Sequence, residues 1–249
     1  MNLLRRTLAV LAPFGLALLV WAGLSATGRI NAFILPAPGA VLRALIQGLC
    51  SGELLSATAL SLWRVGCGFG ISVVTAVPLG IALGSSHRLR GLLDPLLKFV
   101  RPIPPIAWLP LAILWFGIGN GPSYFLTMVA SFFPILTSTM TGVENVSQQH
   151  LAVARCFGAT RASILWDIVI PSSLPMMISG IRTGFGFAWM AVVAAEMIAT
   201  RSGLGYLIYT SQDLLRTDRV LVGMLVIGMI GLLVDTLIVH LKDRWIHWV

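Results

Sequence analysis

Uncharged blocks long enough to form membrane-crossing helices recur along this chain, and most charged residues fall between them. Arg5 and Arg6 precede a block from Thr7 to Gly28, which at about 1.5 Å per residue can cross about 30 Å of hydrocarbon. A cleaved signal segment also begins with a basic flank, but its apolar core is shorter and ends in a small-residue site, so this block predicts a span. Arg64 opens the second block, Val65 to Ser86, where Gly66, Gly68, Gly70, Gly80 and Gly84 suit close helix packing in lipid. Between Arg101 and Glu144 lie 42 residues without a charge. Gly117, Gly119, Asn120, Gly121 and Pro122 interrupt them with turn chemistry, which predicts two spans joined by a tight turn.

A fifth span is expected from about Ser173 to Thr200 with Arg182 and Glu196 inside it, and a sixth from Val220 to Leu241 containing Asp235. The expected architecture is an all-α integral membrane protein, one domain over residues 1–249 with six transmembrane helices. Their approximate limits are 7–28, 60–86, 103–118, 122–143, 173–200 and 219–241. Two intervening stretches show helical patterning. Ala37 to Ser56, with Val41, Leu45 and Leu49 after a proline-rich start, predicts a short surface helix, and Gly203 to Leu215 a half-buried one.

Composition agrees with lipid as the solvent. The chain is 57% hydrophobic and 10% charged, against about 25% charge in an ordinary soluble domain. Its mean hydropathy is +0.91. The excess of 17 Lys and Arg over 9 Asp and Glu is spread between apolar runs rather than gathered in one patch, so topology accounts for it and nucleic-acid binding does not. With the N-terminus inside, the inner segments hold Arg5, Arg6, Arg88, Arg90, Lys98, Arg101, Arg155, Arg161, Lys242 and Arg244. The outer segments hold Arg29, Arg43, Arg201, Arg216 and Arg219. The bias predicts cytoplasmic termini.

The inner segment of about residues 144–172 is too long for a simple turn. Ser147 to His150 give it a polar start, Leu151, Val153, Ala154 and Phe157 follow, and Gly158 stops the helix. Ile164, Leu165, Ile168 and Ile170 then recur at helical intervals up to Pro171. Two short helices are expected there, a platform on which a partner can dock.

This segment resembles the EAA loop of ABC importer permeases, E-A-A-x3-G-x9-I-x-L-P. Ala154, Gly158, Ile168 and Pro171 fall in register, Ile170 replaces the leucine, and Ala152 and Val153 stand where the family has glutamate and its first alanine. The chain also resembles the nitrate, sulfonate, taurine and bicarbonate branch. The likeness runs from Arg101 to Pro110, through Ile113–Gly119, Phe132–Ile135, Ala194–Glu196 and Gly203–Gly205, and over the stretch from Leu215 to Val220. The resemblance implies a type I importer permease in a bacterial inner membrane. It also implies a second, usually identical permease copy, two ATPase subunits that hold ATP and magnesium, and an external solute-binding protein. No cofactor is then expected on this chain. Coupling to the ATPase is expected through Gln149, Ala152, Val153, Ala154, Arg155, Phe157 and Gly158, with Ile168 and Pro171 completing the loop. The implied cargo is a small anion, a sulfonate such as taurine or an alkanesulfonate first, and nitrate or bicarbonate next.

The sequence agrees with that division of labour, because it contains no G-x-x-x-x-G-K-[ST] phosphate loop. Gly66-x-Gly68-x-Gly70 lies inside a span and reads as helix packing. Charges at hydrocarbon depth generally face protein, water or substrate. Arg182 and Glu196 are 14 positions apart, about 21 Å along one helix, so they cannot pair with each other. Arg64, Arg182 and Glu196 are candidates for the translocation path. The competing reading satisfies each on a neighbouring helix, for instance by pairing Arg64 with Glu196. Asp235 is expected to snorkel inward or to meet Lys242.

Trp108, Trp115, Trp189, Trp245 and Trp248 read as packing or interfacial anchors. Cys50, Cys67 and Cys156 read as small apolar side chains. His87, His150, His240 and His247 show no metal-binding spacing. Pro102, Pro104, Pro105 and Pro110 predict either a hinge or a rigid corner at the start of the third span. The alternative functional class is a secondary transporter or channel, which would show repeated halves or a filter, and no half-to-half similarity is seen. An intramembrane enzyme would need a nucleophile with its base, or a metal cluster, and neither pattern occurs.

Overall fold

The computed structural model describes residues 3–27, 31 and 33–245, and every regular element in it is helical. In order these are α1 (Leu3–Ala26), α2 (Pro38–Cys50), α3 (Glu53–Ser85), α4 (His87–Val100), a 3-10 turn (Pro105–Trp108), α5 (Leu109–Phe116) and α6 (Asn120–Glu144). Then follow α7 (Gln148–Cys156), the single turn α8 (Arg161–Ser163), a π-helical stretch (Ile164–Val169), α9 (Ile170–Ala199), α10 (Leu204–Asp213) and α11 (Thr217–Trp245). Arg29, His247 and Trp248 lie outside the described residues.

The centre of the bundle is α6, which packs along both α3 and α9. Small residues make that approach possible. A methyl on Gly80 would lie 2.7 Å from Thr139 Cβ, and one on Gly84 would lie 2.7 Å from Val143 Cβ, so α3 and α6 meet backbone to backbone. Gly184 of α9 meets Ile135 of α6 in the same way. Gly68 shares this role on α3, whereas Gly66 and Gly70 face open space. Buried Ser72, Thr127, Ser131 and Ser173 continue the pattern, and Ser131 donates back to the Thr127 carbonyl at 2.8 Å.

Trp189 is buried and stacks on Phe185 with 11° between the rings, and its indole N–H donates to the Ile227 carbonyl of α11 at 3.1 Å. This tryptophan is packing, while Trp115 is largely exposed.

Among the described residues four helices are long and apolar enough to cross a membrane: Glu53–Ser85, Asn120–Glu144, the continuous run Arg161–Ala199 and Thr217–Lys242. A fifth crossing is made if α4 and the segment Pro105–Phe116, bent by 85°, count as one. Over the expected third span, 103–118, the structure has no single helix but the turn Pro105–Trp108 followed by α5, Leu109–Phe116. Pro104 and Pro105 cannot donate to the carbonyls four residues back, so the helix ends at Val100 and restarts after the turn.

Pro171, expected to close a separate short helix, sits instead in the first turn of α9, so the helix runs unbroken for 39 residues from Arg161. The π-helical stretch just before it already departs from i→i−4 bonding, which accommodates a residue without an N–H.

Candidate functional site

At the end of the bundle that carries residues 144–172, the near end, α7 stands clear of the membrane helices. Phe157 caps it, and Gly158 follows at φ +77° with its N–H on the Arg155 carbonyl at 3.0 Å. A positive φ suits glycine because it has no Cβ. Ala159 then donates to the Ala154 carbonyl at 3.0 Å, so the last carbonyls of α7 are satisfied as in a glycine-terminated helix. The Thr160 hydroxyl caps the next turn by accepting from Ser163 N at 3.2 Å.

The faces of this platform divide cleanly. Leu151, Ile164, Leu165 and Ile168 pack inward on Val143, Val146, Val169 and Met177. Gln149, Ala152, Val153, Arg155 and Phe157 point outward, and Ala154 is half-buried. Phe157 is 87% exposed and Val153 55% at α7, and Trp166 of the π-helical stretch is 68% exposed. Single exposed apolar residues are ordinary, but this group on one projecting platform is the kind of surface a protein partner covers.

At the far end, Glu196 and Arg64 form an ion pair of 2.6 Å at 0% and 3% exposure. Glu196 is held by α3 and α10 together. Ser61 Oγ lies 2.9 and 2.8 Å from its two oxygens, and Gly205 N–H donates to it at 3.0 Å. Leu204 N–H donates to Ser61 Oγ at 2.9 Å, so the carboxylate and the serine together cap the start of α10. All three nitrogens of the Arg64 guanidinium are engaged as well. It donates to Asn120 Oδ1 at 2.9 Å, the Ser202 carbonyl at 2.7 Å and Ser202 Oγ at 2.6 Å.

Gly119 N–H reaches the Ala199 carbonyl at 2.9 Å, tying the start of α6 to the end of α9. Gly203, at φ +103°, lies so close that any Cβ would collide with the Glu196 carboxylate. The Gly203-x-Gly205 pair in the sequence is therefore the space left for a buried carboxylate. Ser61 and Ser202 carry no sequence signal of their own, and Asn120 reads there only as part of a turn.

Arg182 meets Asp235 of α11 rather than a residue of its own helix. The contact is bidentate, 2.5 Å from Nε and 2.7 Å from the second terminal nitrogen, at 49% and 43% side-chain exposure. This corrects the expected pairing of Asp235 with Lys242, which lies seven positions away on the same helix, whereas α9 packs directly against α11. The structure brings Arg64 and Glu196 together and keeps Arg182 apart from both. Among the described residues no group of His, Cys, Asp and Glu has the arrangement of a metal site.

Comparison with known proteins adds three findings. The profile of the family described as binding-protein-dependent transport system inner membrane component matches residues 76–247. A putative ABC transporter permease protein of Methanocaldococcus jannaschii is 41% identical over 238 residues, covering 94% of this chain and 89% of its own. The taurine transport system permease protein of Escherichia coli is 38% identical over 247 residues, covering 97% and 88%. Among solved structures, the inward-facing MetNI methionine ABC transporter is similar in fold, with a TM-score of 0.62 at 15% identity over 76% of this chain and 96% of that one.

Proposed function

This chain belongs to the family of binding-protein-dependent transport system inner membrane components, and from that premise we propose that it forms the path by which a small sulfonate crosses the membrane. It is a multi-pass inner-membrane permease, a subunit that carries cargo rather than one that performs chemistry. In the proposed assembly two identical copies face each other with six spans each and cytoplasmic termini. The described apolar part of α1, Gly15–Ala26, belongs to the first span. Two partner ATPase subunits hold ATP and magnesium, and a solute-binding protein delivers cargo from outside.

The observation that carries the reading is the projecting helix α7 with Val153 and Phe157 uncovered at its tip, joined through one unbroken helix to α9 in the bundle. Gln149 to Phe157 dock in the ATPase, and closure of that subunit is passed along the 39-residue helix. Of the three charged residues considered for the path, Arg182 keeps exposed surface and stays there. Arg64 and Glu196 pair with each other and fix the far end of the bundle. Similarity to the taurine permease over 97% of this chain supports taurine or an alkanesulfonate as cargo, with nitrate or bicarbonate next.

The test is reconstitution in liposomes with the ATPase and binding protein, followed by uptake of labelled taurine, nitrate and bicarbonate. ATP-dependent uptake of taurine is expected. Uptake that persists without the ATPase would overturn the proposal in favour of a secondary transporter.

A further inference from the structure

The break between α4 and the Pro105–Trp108 turn lies on the exposed side of the bundle, against the middle of α6. Arg101 and Ile103 line a cavity of about 400 Å³ together with Phe133, Ser138, Thr183 and Phe187. Phe133 is 13 residues along α6 from Asn120, about 20 Å from the far end, so the cavity lies near mid-membrane. Arg101, grouped by the sequence with the inner-side cations, therefore stands level with the middle of α6, exposed on the single chain. Irregular backbone at that depth is tolerated where it is buried in protein or lines a water-filled cavity, and Pro105 has no N–H for the Arg101 carbonyl.

Three other arginines on the long bundle helices and α4 are neutralised by carboxylates. Arg64 pairs with Glu196, Arg90 with Glu144 and Arg182 with Asp235. Among the described residues no carboxylate lies within ion-pair distance of Arg101. An uncompensated guanidinium at that depth is costly unless water or an anion meets it. The chemistry around it suits an oxyanion with an organic remainder. The guanidinium offers five N–H donors and Ser138 adds a hydroxyl, whereas the Thr183 hydroxyl is committed to the Ser179 carbonyl at 3.0 Å. Ile103, Phe133 and Phe187 supply apolar wall. With a single cation the grip is weak enough for cargo to leave, as conduction requires.

We propose that Arg101 is the anion-binding residue of the translocation path, holding the oxyanion group of the cargo at the break between α4 and the Pro105–Trp108 turn while the aromatic wall takes the rest. This deepens the reading of the chain as an anion importer and rests on it.

The experiment compares Arg101→Gln and Arg101→Lys with wild type in liposomes holding the ATPase and binding protein. Arg101→Gln is expected to cut ATP-driven anion uptake roughly tenfold or more, as loss of a charge-assisted contact implies. Hydrolysis stimulated by the loaded binding protein should stay within about twofold, which separates lost cargo handling from lost assembly. Arg101→Lys should recover part of the uptake, because charge remains while the fork geometry is lost. Uptake by Arg101→Gln within about twofold of wild type would overturn the assignment.

A wild-type complex without ATP-driven anion uptake would instead overturn the importer reading itself. If Arg101→Gln does not assemble, Ser138→Cys decides, in a chain whose Cys50, Cys67 and Cys156 are replaced by Ala. Labelling of the introduced thiol by a cationic methanethiosulfonate should slow when the imported anion is present, and an unchanged rate would overturn the proposal.

Discussion

Where α3 begins and α9 ends, Glu196 and Arg64 are enclosed, each with several partners, and α6 and α10 are tied to them through Asn120, Gly119 and Gly205. Where α6 ends and α9 begins, α7 stands out from the bundle with Phe157 uncovered, and the helix that follows contains a π-helical stretch and two prolines, Pro171 and Pro175. Buried polar groups with every bond made leave few alternative arrangements. A projecting helix on a glycine and a π-turn leaves several. The contrast implies that the far end holds the helices in register while the near end receives and transmits movement.

The contrast is broken most severely by Arg64→Ala, which leaves the Glu196 carboxylate buried without its cation. The expected loss is about 3–5 kcal/mol, read as a lower melting temperature in detergent. Replacing both partners by apolar residues, Arg64→Met with Glu196→Leu, should recover much of that loss, because neither charge is then stranded.

Gly203→Ala comes next. It combines an unfavourable φ with a collision against the same carboxylate, and should cost about 1–3 kcal/mol in the same melting experiment. Gly158→Ala sharpens the comparison, since Gly158 also has positive φ but nothing lies within 4 Å of an added Cβ. Its cost should be the backbone term alone, about 1–2 kcal/mol. Phe157→Ala should shift stability by no more than about 0.5 kcal/mol, because it removes no packing. Yet it should weaken binding of the ATPase subunit by roughly tenfold, measured as complex retained on an affinity column.

The same contrast explains what the sequence could disclose. The helix α7 and its glycine stop were legible because local signals define them: a polar start, an apolar face, a stopping glycine and a four-residue match in register to a family pattern. The far end was half legible. Arg64 and Glu196 stand out as charges in apolar helices, so their pairing is one of few ways to satisfy both, but Ser61 and Ser202 look like any small polar residue and Asn120 like part of a turn.

Arg182 and Asp235 are 53 positions apart, and nothing within either helix says which helices are neighbours. The third span differs from its expected course for a related reason. Charge-free length put its start after Arg101, whereas the structure has no helix there but a break made by prolines, with Arg101 exposed beside α6. Pro171 misled in the opposite sense, because a proline in the first turn of a helix and one just past its end are the same letter.

The division between a clamped end and a transmitting end is tested most directly by hydrogen exchange on the assembled transporter, with and without a non-hydrolysable ATP analogue. Amides of residues 148–169 are predicted to change protection when the nucleotide binds, while those of 196–205 stay protected throughout. Unchanged exchange over 148–169 together with deprotection of 196–205 would contradict the account.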